Sequence, residues 1–219
     1  MARITSRRGT LRRIAAALAA LGVLAAASPG LAQQGQPTGV PNVIIRDGDI
    51  GGRRLAIVAA DWLYCYPPTR ELILVPKGYV TDFASIPSAF RGLIDVYGFN
   101  IEGALVHDWL YAVGQPGERG KADDVIRYAL MEQHVDIVRR NAVHRAVRMG
   151  GGDAYGKADE WDRRFGDPQT GQRLPKSPYR RPATAVVGLI DGTCSSLDKP
   201  EVLAALRRTY NSADWPRAD

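Results

Sequence analysis

The sequence predicts an α+β fold: a small N-terminal antiparallel sheet followed by a helical, bundle-like C-terminal part, in one domain. Three observations point there. Between residues 43 and 81, short β-branched and aromatic runs alternate with Pro, Gly and Asp turn signals. After Pro87 the apolar residues recur at helical spacing instead. With 219 residues, 45% hydrophobic and 24% charged, the composition is that of a globular chain rather than a collagen-like, disulfide-dense or disordered one.

Residues 1–32 stand apart from that domain. Arg3, Arg7, Arg8, Arg12 and Arg13, with no acidic residue among them, precede an Ala/Leu-rich run from Ile14 to Ala27, and Gly30-Leu31-Ala32 supplies small residues at a cleavage point. This is the order of a secretory signal. Its apolar run falls short of the roughly 18–20 residues that span hydrocarbon, so no transmembrane anchor is expected after cleavage. Ser6-Arg7-Arg8-Gly9-Thr10-Leu11-Arg12 resembles the twin-arginine export motif, with Thr10 where Phe is usual; ordinary Sec export is the alternative. Either route predicts a periplasmic or secreted protein.

Export also relocates the charge. The whole chain carries +6, but loss of the five signal arginines leaves 24 Lys+Arg against 23 Asp+Glu. A near-neutral mature domain of 187 residues gives no electrostatic case for nucleic acid. Cys65 and Cys194 both remain, and in an oxidising compartment they read either as one disulfide tying the tail to the first sheet or as two buried thiols.

Residues 33–42, QQGQPTGVPN, read as a linker, and 43–219 as the single α+β domain. Val43-Ile44-Ile45 leads to an Asp47-Gly48 turn. Arg53 to Tyr66 is a β-rich run, and Pro67-Pro68-Thr69 breaks the chain before Glu71 to Val75. Pro76-Lys77-Gly78 then introduces Tyr79-Val80-Thr81. Three or four short antiparallel strands fit this spacing. Helices are expected over Ile101 to Val113, Lys121 to His134 and Ile137 to Met149, the last stopped by Gly150-Gly151-Gly152. A short helix over Ala154 to Phe165, a Pro/Gly-rich loop over 166–182 and a closing helix over Pro200 to Tyr210 complete the expectation.

The first helix carries the chemistry. At about 100° per residue, with His107 at zero, Tyr111 lies near 40°, Ala104 near 60° and Asp108 near 100°. Almost everything else around the axis is apolar, so the helix is buried nearly all round except along this His–Asp–Tyr arc. Such polar groups need a partner, a metal or a solvent-filled cleft. On the next helix, Asp123 borders the apolar face and Asp124 turns about 100° away. Asp123 is therefore the inward carboxylate, able to orient His107, whereas Asp124 reads as favouring the helix N-terminus. His134 and His144, on the later helices with arginines nearby, read as surface or helix-end residues.

Val75-Pro76-Lys77-Gly78-Tyr79-Val80-Thr81-Asp82-Phe83-Ala84-Ser85-Ile86-Pro87, then His107-Asp108-Trp109-Leu110-Tyr111, then Ala122-Asp123, resemble the phage- and bacteria-associated family called domain of unknown function 1353, over roughly residues 54–150. That family supplies sites rather than a reaction. The HDxxY…AD arrangement also resembles phospholipase A2 enzymes. This second resemblance implies His107 as the base that activates water, Asp108 as a ligand for calcium or another divalent cation, and Asp123 as the residue that orients the histidine. The glycine-rich calcium loop and the cysteine framework of those enzymes are absent here. No organic cofactor is implied.

In the Thr81 to Pro87 turn, Asp82 reads either as a metal or substrate ligand at the His107 cleft or as a corner residue. Thr81 and Ser85 read as backbone-bonding supports, and Tyr111 as a support of the arc. Two functions are carried forward. One is a hydrolase acting on an ester in lipid or cell-envelope material. The other is a non-catalytic envelope or phage-derived structural module in which the arc is a buried hydrogen-bond network.

Overall fold

The computed structural model describes residues 40–47, 54–83, 93 and 100–198. The signal segment, most of the linker, Ser85 and the expected closing helix lie outside these residues. The fold is α+β, with two small antiparallel sheets leading into three helices. β1 (Val43–Arg46), β2 (Leu55–Val58) and β5 (Val80–Thr81) form one sheet in the order β1-β2-β5. β3 (Trp62–Tyr66), β4 (Glu71–Val75) and β6 (Val186–Leu189) form the other in the order β3-β4-β6.

The expected single sheet is thus two, and the disulfide joins the tail to the second of them. The division falls at residues 59–61, inside the run Arg53 to Tyr66 that reads as one β-rich stretch. There the Ala59 amide donates to the Asn42 carbonyl, and the Asp61 carboxylate accepts from the Lys77 amide at 2.7 Å. These bonds turn the backbone out of the β2 ladder before β3 begins. Both central strands, β2 and β4, carry continuous apolar runs that are buried on both faces. Cys65 on β3 is bonded to Cys194, in a 3₁₀ turn over Cys194–Asp198, across a sequence separation of 129.

The helices are α1 (Ile101–Val113), α2 (Arg119–Glu132) and α3 (Ile137–Gly150). Every residue of α1 except Glu102 is buried, as its nearly all-apolar wheel requires. The helix ends at Gly114, which adopts φ +62° and donates to the Leu110 carbonyl. A side chain there is excluded twice over, because its Cβ would lie 2.1 Å from the Gly156 Cα. α3 starts on the Asp136 side chain, which accepts from the Val138 and Arg139 amides.

The expected helix over Ala154 to Phe165 is a 3₁₀ helix confined to Ala158–Arg164. It delivers Trp161 and Phe165 to the core. Phe165 bridges to Tyr79, and the Tyr79, Trp109, Trp161 and Phe165 rings meet edge-on or tilted at centroid distances of 5.0–6.2 Å. This aromatic layer seats α1 against β5.

Candidate functional site

α1 places His107 in the interior, 0% exposed. On one side Nδ1 lies 3.6 Å from Asp108 Oδ1, and on the other Nε2 lies 3.6 Å from Asp123 Oδ1. Both distances are ion-pair separations, and neither nitrogen makes a geometrically defined hydrogen bond with a described residue. Tyr111, one turn along, lays its ring on the imidazole at a centroid distance of 4.2 Å and donates its hydroxyl to Asp123 Oδ1 at 2.5 Å. The helical wheel thus brings His107 and Tyr111 onto one face, and α2 presents Asp123 to both.

Each carboxylate has a further donor. Asp123 Oδ2 is 3.6 Å from Arg119 Nε, one turn earlier on α2. Arg119 in turn donates to the Arg148 carbonyl at the end of α3. Asp108 Oδ2 accepts the hydroxyl of Thr81 at the end of β5. Thr81 Oγ1 also accepts the Phe83 amide at 3.0 Å, a local turn that holds Phe83 at φ +54°, an unusual conformation for a bulky side chain. Asp82 is buried between them.

The charges follow from this packing. Burial alone would push the His107 pKa down, but the two flanking carboxylates outweigh it and hold it above the ordinary histidine value. Burial would raise the Asp123 carboxyl, but His107, Tyr111 and Arg119 together leave it below its usual range. Burial, then the bond to Asp123, drives the Tyr111 hydroxyl upward. Both shifts favour the charged forms of the His107–Asp123 pair.

Of the residues singled out in the sequence, His107, Asp108, Asp123, Tyr111 and Thr81 form one cluster, with Asp82 beside it; Ser85 lies outside the described residues. Asp108 turns its oxygens toward Thr81 and His107. The described residues include no group of three or more His, Cys, Asp or Glu side chains placed to hold a metal ion.

Two expectations are corrected. Asp124 does more than favour a helix terminus, for its Oδ1 lies 2.8 Å from His144 Nε2 on α3 and 3.7 Å from Arg148. His144 is accordingly a largely buried link between helices rather than a free surface group. Tyr79 and Arg119 escaped the sequence reading. Strand alternation puts Tyr79 on the same face as Thr81, and the i,i+4 spacing puts Arg119 on Asp123; either signal was available. The glycines after α3 were read only as a stop. A Cβ at Gly151 would lie 2.1 Å from the Tyr111 hydroxyl, so that position must be bare for the backbone to close over the cluster.

An α+β domain built around a buried histidine flanked by two aspartates is the class that fold and site define. Residues 56–147, from β2 to near the end of α3, match the family described as protein of unknown function (DUF1353). Comparisons with curated proteins and with solved structures return no match.

Proposed function

We propose that this is an exported hydrolase in which His107 activates water against an ester of lipid or cell-envelope material. The observation that supports the reading is a buried imidazole set between two anchored carboxylates. Nε2 faces Asp123, which Tyr111 and Arg119 hold in place, and Nδ1 faces Asp108, which Thr81 holds; on this reading Nδ1 is the nitrogen that accepts a proton from water. Asp123 orients the ring and stabilises the imidazolium formed when the proton arrives. Because His107 is held protonated to higher pH than a free histidine, the basic form grows as pH rises through that elevated value, and hydrolysis rises with it.

A second reading is favoured by the complete burial of His107: the cluster is a charged tie between α1, α2 and β5 in a non-catalytic module. The two separate in one experiment. The mature protein is incubated with phospholipid vesicles and a panel of neutral ester substrates from pH 6 to 9, with calcium or with chelator. The hydrolase reading expects turnover rising with pH and falling by about 10²-fold or more in His107→Gln and Asp123→Asn variants shown to be folded. No turnover on any substrate, or turnover unchanged in folded His107→Gln, overturns it. A calcium-dependent rise in thermal midpoint, lost in Asp108→Asn, would reinstate a cation at the site.

A further inference from the structure

α3 carries a surface that neither the core nor the His107 cluster uses. Six large apolar side chains are exposed among the described residues, and four of them, Met131, Ile137, Val138 and Met149, lie on α3 or the last turn of α2. Ile137 is 57%, Val138 75% and Met149 88% exposed. Single apolar residues on a surface are ordinary, but their concentration on one pair of helices marks a contact surface.

The helical period puts the α3 residues on one side. At about 100° per residue from Ile137, Arg148 lies near 20°, Arg145 near 80°, Val138 near 100° and Met149 near 120°. Val143, Ala146 and Val147, which α3 buries, lie at about 240°, 180° and 280°. The outward arc is therefore centred opposite the core. It runs about 21 Å along the helix, apolar at both ends and with arginines between.

Charge on this surface is one-sided. Residues 137–152 contain four arginines and no acidic residue. Arg139 is held by the Asp136 cap at 3.2 Å, and Arg148 lies 3.7 Å from Asp124. Arg140 and Arg145 form no ion pair with a described residue. On α2, Asp124, Arg127 and Met131 share one face, and the contact of Asp124 with His144 brings that face against α3. Arg127 is exposed there and likewise has no acidic partner among the described residues. The two acids nearest the arc, Asp124 and Asp136, are already paired, so its positive charge is left for an anion from outside the chain.

We propose that α3 lies along an anionic lipid surface, with Ile137, Val138 and Met149 entering the boundary between headgroups and acyl chains and with Arg145, flanked by Arg140 and Arg127, meeting lipid phosphates. A bilayer interface offers both kinds of group at once: phosphate for the guanidinium heads and hydrocarbon for the apolar side chains. Arginine stems span the two layers. A soluble polyanion would satisfy the arginines but leave Val138 and Met149 in water. The contact is independent of the reaction proposed for His107, and it is read as partition rather than turnover.

The mature, disulfide-bonded protein, free of the signal arginines, is sedimented with phosphatidylcholine vesicles made with or without phosphatidylglycerol. Partition into the anionic vesicles is expected to be at least about tenfold stronger, and to fall as salt is raised to about 0.5 M. Arg140→Gln/Arg145→Gln is expected to weaken it about tenfold or more. Val138→Ser/Met149→Gln leaves every charge in place and is expected to weaken it about tenfold, with the circular dichroism spectrum unchanged because both positions are exposed. No partition, equal partition into neutral and anionic vesicles, or partition unmoved in either variant overturns the proposal. Binding to heparin or polyglutamate that matches the anionic vesicles and ignores Val138→Ser/Met149→Gln also overturns it, in favour of an acidic macromolecule. Displacement from the vesicles by soluble glycerophosphoglycerol overturns it in favour of a site for the headgroup alone.

Discussion

Replacing Asp123 with Asn tests the central cluster most sharply, because the shape is retained and the charge is not. Asp123 is buried, accepts from Tyr111 and faces the His107 imidazolium at 3.6 Å. A hydrogen bond to a charged group contributes about 1.5–3 kcal/mol, and breaking a buried ion pair by removing one partner costs about 3–5 kcal/mol. Arg119 adds little, since its side chain is more than one-third exposed and solvent screens it. Asp108 still faces His107 in the variant, so the lower part of the range applies, about 3 kcal/mol near pH 6. The sign of the pH dependence is fixed by the two shifts. The raised His107 pKa gives stability that is complete below its unfolded value of 6.5 and is lost as pH rises through the folded value. The lowered Asp123 pKa gives stability present above its unfolded value of 3.8 and lost as pH falls through the folded value. Urea unfolding of both proteins from pH 4 to 9 should therefore show the largest gap around pH 5–6 and a shrinking gap at alkaline pH. A gap below about 1 kcal/mol, or one flat across that range, would refute the charged triad.

Three further outcomes are expected. Removing the disulfide by the Cys65→Ala/Cys194→Ala pair should cost about 4 kcal/mol in urea unfolding, because it frees a loop spanning 129 residues; a loss under 1 kcal/mol would show that the tail is held by other contacts. Gly151→Ala should destabilise by about 2–3 kcal/mol, since the new methyl meets the Tyr111 hydroxyl, whereas Gly120→Ala in α2 meets nothing within 4 Å and should be neutral or stabilising; equal effects would disprove the close approach. Asp136→Ala removes the α3 cap and should lower stability by about 1 kcal/mol, with Asp136→Ser restoring most of it.

The helices and the His–Asp–Tyr arc were legible because a 3.6-residue period is local. Counting around α1 places Tyr111 beside His107, and counting around α2 separates inward Asp123 from outward Asp124. The sheets were less legible, since strand pairing depends on distant partners. Nothing near Ala59 announces that Asp61 will hold the Lys77 amide and divide one β-rich run between two sheets. β6 is four residues, Val186–Leu189, that acquire meaning only by pairing with β4.

The burial of His107 alone does not decide between catalysis and architecture, but the way its nitrogens are served bears on the choice. A histidine kept as a structural tie is expected to hydrogen-bond at about 2.7–3.2 Å, since an open nitrogen forfeits the stabilisation the tie exists to provide. Here both nitrogens stand 3.6 Å from their carboxylates, and the buried Tyr79 hydroxyl nearby also makes no geometrically defined hydrogen bond with a described residue. An apolar trio in these positions would hold two helices at least as well, because buried ion pairs seldom repay their desolvation. The cluster thus keeps polar capacity that packing does not use.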